Sequence, residues 1–92
     1  IDYIQKVVCN YFNVGVEQLQ SRTRKREIVQ ARQVAMFFSK GLTKASLANI
    51  GYQIGGKDHA TVLHACKTVN NLMETDKRFR LQVDEIEKKL KI

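Results

Sequence analysis

Proline is absent from all 92 residues, and apolar side chains return every three or four positions almost from end to end. No other feature narrows the fold so far. Without proline no position forbids the backbone from continuing a helix, and the spacing gathers apolar groups on one face of each helical stretch. No period-two alternation runs long enough to make a strand. The expected class is all-α, a compact bundle of about six helices in a single domain over residues 1–92. A hydrophobic fraction of 43% supplies enough core for folding without metal or disulfide staples. Cys9 and Cys66 fall within apolar stripes and read as reduced core thiols. No apolar run approaches the roughly 20 residues of a membrane span. No signal peptide is visible, so a cytoplasmic chain is expected, and Ile1 in place of Met suggests a fragment of a longer protein.

Ile4, Val7, Val8 and Tyr11 mark a first helix with Asp2 as its expected cap. Asn13 and Gly15 break it, and Val16 and Leu19 form one short turn. After a basic connection over Ser21 to Arg26, a third helix carries Ile28, Ala31, Val34, Ala35 and Phe38 on one face. Gly41 is expected to end it as a left-handed residue. Ser46 caps a short helix bearing Leu47, Ile50 and Ile54, which Gly55 and Gly56 stop. Asp58 is placed to cap the next helix by accepting from the backbone N–H of Ala60 or Thr61. That helix sets Val62, Ala65, Cys66, Val69, Leu72 and Met73 against the core. Ala60, His64, Lys67 and Asn71 face the other way. Asp76 caps a last helix striped by Phe79, Val83, Ile86 and Leu90.

The net charge of +7 is concentrated. Residues 1–20 carry Lys6 against Asp2 and Glu17, and residues 68–92 nearly balance. Residues 21–67 set nine Lys and Arg against Glu27 and Asp58, so the middle of the chain holds the excess. Such a field attracts nucleic acid or an acidic membrane surface, or serves solubility alone. Charge does not choose between these.

The segment Ser46 to Val69 does more. A short helix, a glycine turn and a longer capped helix form the plan of a helix-turn-helix, whose second helix enters the major groove N-terminus first. An ordinary helical hairpin shares that plan. Asp58 could accept from cytosine N4 in the major groove or act purely as a cap. His59 could donate to a base or a phosphate, and the Thr61 hydroxyl could hold a phosphate near the positive end of the helix dipole.

The run Gly55-Gly56-Lys57-Asp58-His59-Ala60-Thr61-Val62-Leu63-His64-Ala65 resembles the signature of the C-terminal DNA-binding domain of the bacterial DnaA replication initiators. The resemblance extends to the basic loop Arg22-Thr23-Arg24-Lys25-Arg26, to Ala31-Arg32-Gln33-Val34-Ala35-Met36 and to Leu42-Thr43. It implies a Trp-repressor-like all-helical domain that recognises asymmetric A·T-rich boxes at a replication origin in a bacterial, nucleoid-associated setting. By position it implies major-groove and adjacent backbone contacts from Lys57, Asp58, His59, Ala60 and Thr61. Arg24 is implied to enter the minor groove, Arg26 of the same loop to contact DNA, and Arg32, Gln33, Lys40 and Thr43 to touch the DNA backbone. The family commonly has Arg where this chain has Lys57 and Thr where it has Ala60. Lys lacks the planar fork of Arg, and Ala keeps a methyl but loses a hydroxyl.

Rival chemistries fare worse. Gly51 to Lys57 fits the opening of a phosphate-binding P-loop, but Asp58 stands where Ser or Thr would ligate magnesium, and the stretch reads as helix rather than strand. His59 and His64 lie about 140° apart around a helix, too far to share a metal ion. No catalytic constellation assembles, and neither cofactor nor metal is expected in this chain; ATP chemistry would belong to an upstream domain. Docking on acidic phospholipid or on a regulatory protein is the alternative partner class. No long zipper-like stripe is left over for a dimer, so monomeric binding to double-stranded DNA is expected.

Overall fold

The computed structural model describes residues 1–91 as six helices: α1 (Asp2–Phe12), α2 (Val16–Leu19), α3 (Arg26–Leu42), α4 (Leu47–Gln53), α5 (His59–Thr75) and α6 (Lys77–Leu90). No strand occurs among the described residues. Each helix forms where an apolar stripe can be buried, and α3 and α5 supply the centre. Ala31, Val34, Ala35 and Phe38 of α3 meet Val62, Ala65 and Val69 of α5 in one buried cluster, closed by Ile4 and Val8 of α1, Leu19, Ile50, and Phe79, Val83 and Ile86 of α6. None of the described helices is long and apolar enough to cross a membrane. Both cysteines are free, Cys9 buried and Cys66 half-buried.

The helix ends follow local chemistry in most places. Ser46 accepts from the Asn49 N–H at 3.1 Å, and Asp76 accepts from the N–H groups of Arg78 and Phe79 at 3.0 and 3.2 Å. Asn13 adopts the left-handed conformation that ends α1. Two expectations are corrected. Asp2 lies inside the first turn of α1, with Ile1 as the cap residue and no side-chain cap, so its carboxylate acts on the helix dipole and on Lys6 at 3.2 Å. Gly41 does not stop α3, which continues to Leu42; the extended backbone at Thr43 ends it. The Thr43 hydroxyl donates to the Ser39 carbonyl and accepts from the Ala45 N–H, turning the chain where glycine was expected to do so.

Polar groups stitch the bundle as well. Gln20 donates to the buried Gln5 side chain at 2.8 Å, and both amides reach the Gln53 carbonyl at 3.4 Å, joining α1, the end of α2 and the end of α4. Tyr11 donates to Glu85 at 2.8 Å and so ties α1 to α6.

Candidate nucleic-acid interface

Helices α4 and α5 approach each other through Gly51. A Cβ there would collide with the Lys57 carbonyl, and the Lys57 N–H donates to the Gly51 carbonyl at 2.7 Å. Backbone therefore packs directly on backbone. The turn that follows needs positive φ twice, +85° at Gly55 and +68° at Gly56, which glycine adopts without steric cost. Gly55 also presses on the Gln20 carbonyl so closely that a Cβ would not fit. The helix-turn-helix is thus docked on the residue that precedes the basic loop.

Asp58 opens α5. One of its carboxylate oxygens accepts from both the backbone N–H and the hydroxyl of Thr61, each at 2.8 Å. These two bonds, more than the nearby His59, hold the carboxyl below its ordinary value of 3.8. The other oxygen has room to accept from a ligand. The Thr61 hydroxyl proton is committed to Asp58, so gripping a phosphate through that proton requires the hydroxyl to rotate away. His59 and Ala60 stand exposed beside them, and His64, Lys67 and Asn71 are exposed further along the helix.

The basic loop is more ordered than its composition suggests. Ser21 donates to the Gln18 carbonyl at 2.7 Å and accepts from the Thr23 N–H at 3.3 Å; Thr23 in turn accepts from the Lys25 N–H at 3.3 Å. Arg32, 8% exposed, turns its guanidinium inward onto the loop. Its Nε donates to the Leu19 carbonyl at 2.7 Å, and its two terminal nitrogens donate to the carbonyls of Ser21 at 2.9 Å and Thr23 at 3.3–3.4 Å. Burial lowers its pKa, though an arginine keeps its charge throughout. Lys57 is half-buried and donates to the same Ser21 carbonyl at 3.2 Å. Burial, then the neighbouring Arg32 and Arg22 charges, lowers its pKa.

Arg22, Arg24, Lys25 and Arg26 remain exposed along this braced loop. Three of them crowd the N-terminal end of α3, which has no side-chain cap and Glu27 as the acidic residue of its first turn. Cations at the positive end of a helix dipole destabilise it. A bound anion would relieve that repulsion. Between the loop and the start of α5 runs a groove of about 520 Å³, lined by Arg22, Arg24, Lys57, Asp58 and Thr61 among others. Arg24 and Arg26 also border a second groove with Gln33 of α3 and Asp76.

The structure therefore brings Arg24, Lys57, Asp58 and Thr61 to one groove, with His59 and Ala60 at its helix end and Arg26 and Gln33 on the adjoining side. Lys40 lies apart, exposed near the end of α3 and close enough to Cys66 to oppose the rise that burial imposes on that thiol's pKa. Thr43 is engaged in the α3–α4 turn. Sequence reasoning missed Gly51, the inward clamp of Arg32 and the Gln5–Gln20–Gln53 clasp. Ser21 and Thr23 carried a signal for the loop, since hydroxyls spaced in this way hydrogen-bond the backbone two residues on.

A glycine-crossed helix pair, an exposed and capped second helix, and a braced cationic loop beside it define a helix-turn-helix DNA-binding domain. The chain belongs to the bacterial DnaA protein helix-turn-helix family, whose model matches residues 1–69. Its relatives include the chromosomal replication initiator protein DnaA of Flavobacterium psychrophilum, 70% identical over all 92 residues. Those of Bacteroides thetaiotaomicron and Wolbachia pipientis are 54% and 44% identical over 99% of the chain. The chain spans only 19–20% of the length of these relatives.

Proposed function

We propose that this domain recognises an asymmetric, A·T-rich box in double-stranded DNA as a monomer, and so places a replication initiator at its origin. Its relatives bear the name chromosomal replication initiator protein. The observation that carries the reading is the shared groove: the first turn of α5 and the Arg24 loop flank one cleft, and the loop's Ser21 carbonyl accepts both from Lys57, just ahead of α5, and from Arg32 of α3.

In this reading α5 enters the major groove with Asp58, His59, Ala60 and Thr61. The free Asp58 oxygen accepts from cytosine N4, and the Ala60 methyl meets a thymine methyl. Arg24 enters the adjacent minor groove, where narrow A·T sequence concentrates negative potential. Arg26, Gln33, Lys40 and Thr43 serve the phosphate backbone, and Arg32 contributes by fixing the loop.

Selection of bound duplexes from a random pool tests this directly. The expected outcome is one asymmetric motif with an A·T-rich end. Enrichment of a palindrome, or no enrichment, would overturn the proposal. Flotation with acidic phospholipid vesicles in parallel should show no binding that competes with the selected duplex.

A further inference from the structure

Residue matching with its family gives Lys57 a place among the DNA contacts, yet its ammonium points elsewhere. It donates to the Ser21 carbonyl at 3.2 Å, the acceptor that Arg32 reaches at 2.9 Å. It stands close enough to Arg32 and Arg22 to feel both charges, and an ammonium free to seek phosphate would swing away from them. Its main chain is fixed too, with the N–H bonded to the Gly51 carbonyl and its own carbonyl filling the place a Cβ on Gly51 would take. One residue thus joins α4, the start of α5 and the basic loop.

We propose that Lys57 is a positioning residue: its Ser21 tether sets the basic loop at a fixed distance from the first turn of α5, so that two base-reading elements meet adjacent grooves together. The inference rests on the two-groove reading above and deepens it. Ser21 lies three positions before Arg24, so release of the tether frees the loop on the side that faces α5. Arg32 still holds the loop from behind, so the domain stays folded and only the presentation of Arg24 loosens.

The test compares Lys57→Met, Lys57→Arg, Arg24→Ala and the Lys57→Met/Arg24→Ala double variant. The probes are the selected duplex and the same duplex with its A·T-rich end changed to G·C. Lys57→Met should cut discrimination between them roughly 5- to 20-fold, the scale of one weakened base-pair reading. The log–log salt slope should hardly change, because no phosphate contact is lost. Arg24→Ala should add little on top of Lys57→Met, since coupled residues are non-additive. Lys57→Arg, which keeps a donor, should restore discrimination. The opposite pattern overturns the proposal: equal weakening on both duplexes, a slope reduced by about 0.9 as for one lost phosphate contact, and additive losses.

Amide hydrogen exchange in the unbound protein gives a second readout that needs no DNA. Exchange at Thr23 to Lys25 should quicken in Lys57→Met while the α3 and α5 amides stay protected; unchanged loop exchange would refute the tether. If the unaltered domain shows no A·T discrimination, the two-groove reading fails on its own account, and the exchange result still decides the tether.

Discussion

Replacing Gly51 and Gly41 by alanine should move stability in opposite directions. Both glycines lie inside helices, so alanine gains about 0.5–1 kcal/mol at each from backbone entropy alone. At Gly41 nothing lies within 4 Å of the new methyl, and that gain should appear in full. At Gly51 the methyl would overlap the Lys57 carbonyl oxygen and sit 2.9 Å from its carbon and 3.2 Å from the Asp58 carbonyl oxygen. All three are backbone atoms, and no side chain can give way. The turn must open, at about 1–3 kcal/mol for overpacking, and the 2.7 Å bond from the Lys57 N–H to Gly51 is lost, at about 1 kcal/mol. The net is a loss of roughly 1–3 kcal/mol, or on the order of 5–20 °C in Tm for a domain of this size. Thermal unfolding followed by far-UV circular dichroism measures both variants. Gly41→Ala should melt a few degrees above the parent and Gly51→Ala well below it. Equal shifts, or a Gly51→Ala as stable as the parent, would refute the claim that close backbone approach sets the helix-turn-helix angle.

Asp58→Asn keeps an oxygen for the Thr61 N–H but replaces the second carboxylate oxygen with a donor. Helicity should survive while preference for cytosine at one position falls roughly 5- to 100-fold, measured by competition between duplexes differing at single pairs. The same carboxyl gives a pH prediction. Its folded pKa lies below 3.8, so its capping contribution is fully present above the unfolded value and disappears as pH falls through the folded one. Melting temperatures should show the parent losing its advantage over Asp58→Asn only in acid, with no change near neutrality. Ser39 is fully buried with an unpartnered hydroxyl, so Ser39→Ala should be neutral or stabilising by up to about 1 kcal/mol in denaturant unfolding.

What the sequence discloses is chiefly what acts within a turn or two of chain. Ser46, Asp58 and Asp76 are caps because their side chains reach N–H groups two or three residues on, and those distances are fixed by local geometry. The stripes of α3, α5 and α6 were legible because burial follows helical periodicity. Gly41 misled because glycine ends helices only when a left-handed residue is needed there, and the Thr43 hydroxyl makes the turn instead. Asp2 misled because it already lies in the first helical turn, where its carboxylate pairs with Lys6 instead of capping. Gly51 looked like part of a phosphate loop, while its purpose depends on a carbonyl brought against it by the turn. Arg32 held a readable clue: its neighbours one turn away, Ile28 and Met36, are both buried, so a cation on that stripe needed internal acceptors. Which acceptors they are, the carbonyls of Leu19 at the end of α2 and of Ser21 and Thr23 in the loop, depends on tertiary folding and has no trace in local pattern.

The central claim is that Arg24 reads the minor groove while α5 reads the major one. Inosine·cytosine pairs separate the two, because they lack the guanine amino group and so resemble A·T from the minor groove while resembling G·C from the major groove. Affinity should be measured for the selected duplex with its A·T-rich end replaced by I·C or by G·C, using the unaltered domain and Arg24→Ala. The unaltered domain should bind the I·C duplex nearly as well as the A·T one and the G·C duplex roughly 5- to 100-fold more weakly, with that difference gone in Arg24→Ala. Equal weakening by I·C and G·C in the unaltered domain would place the reading of that end in the major groove and contradict the account.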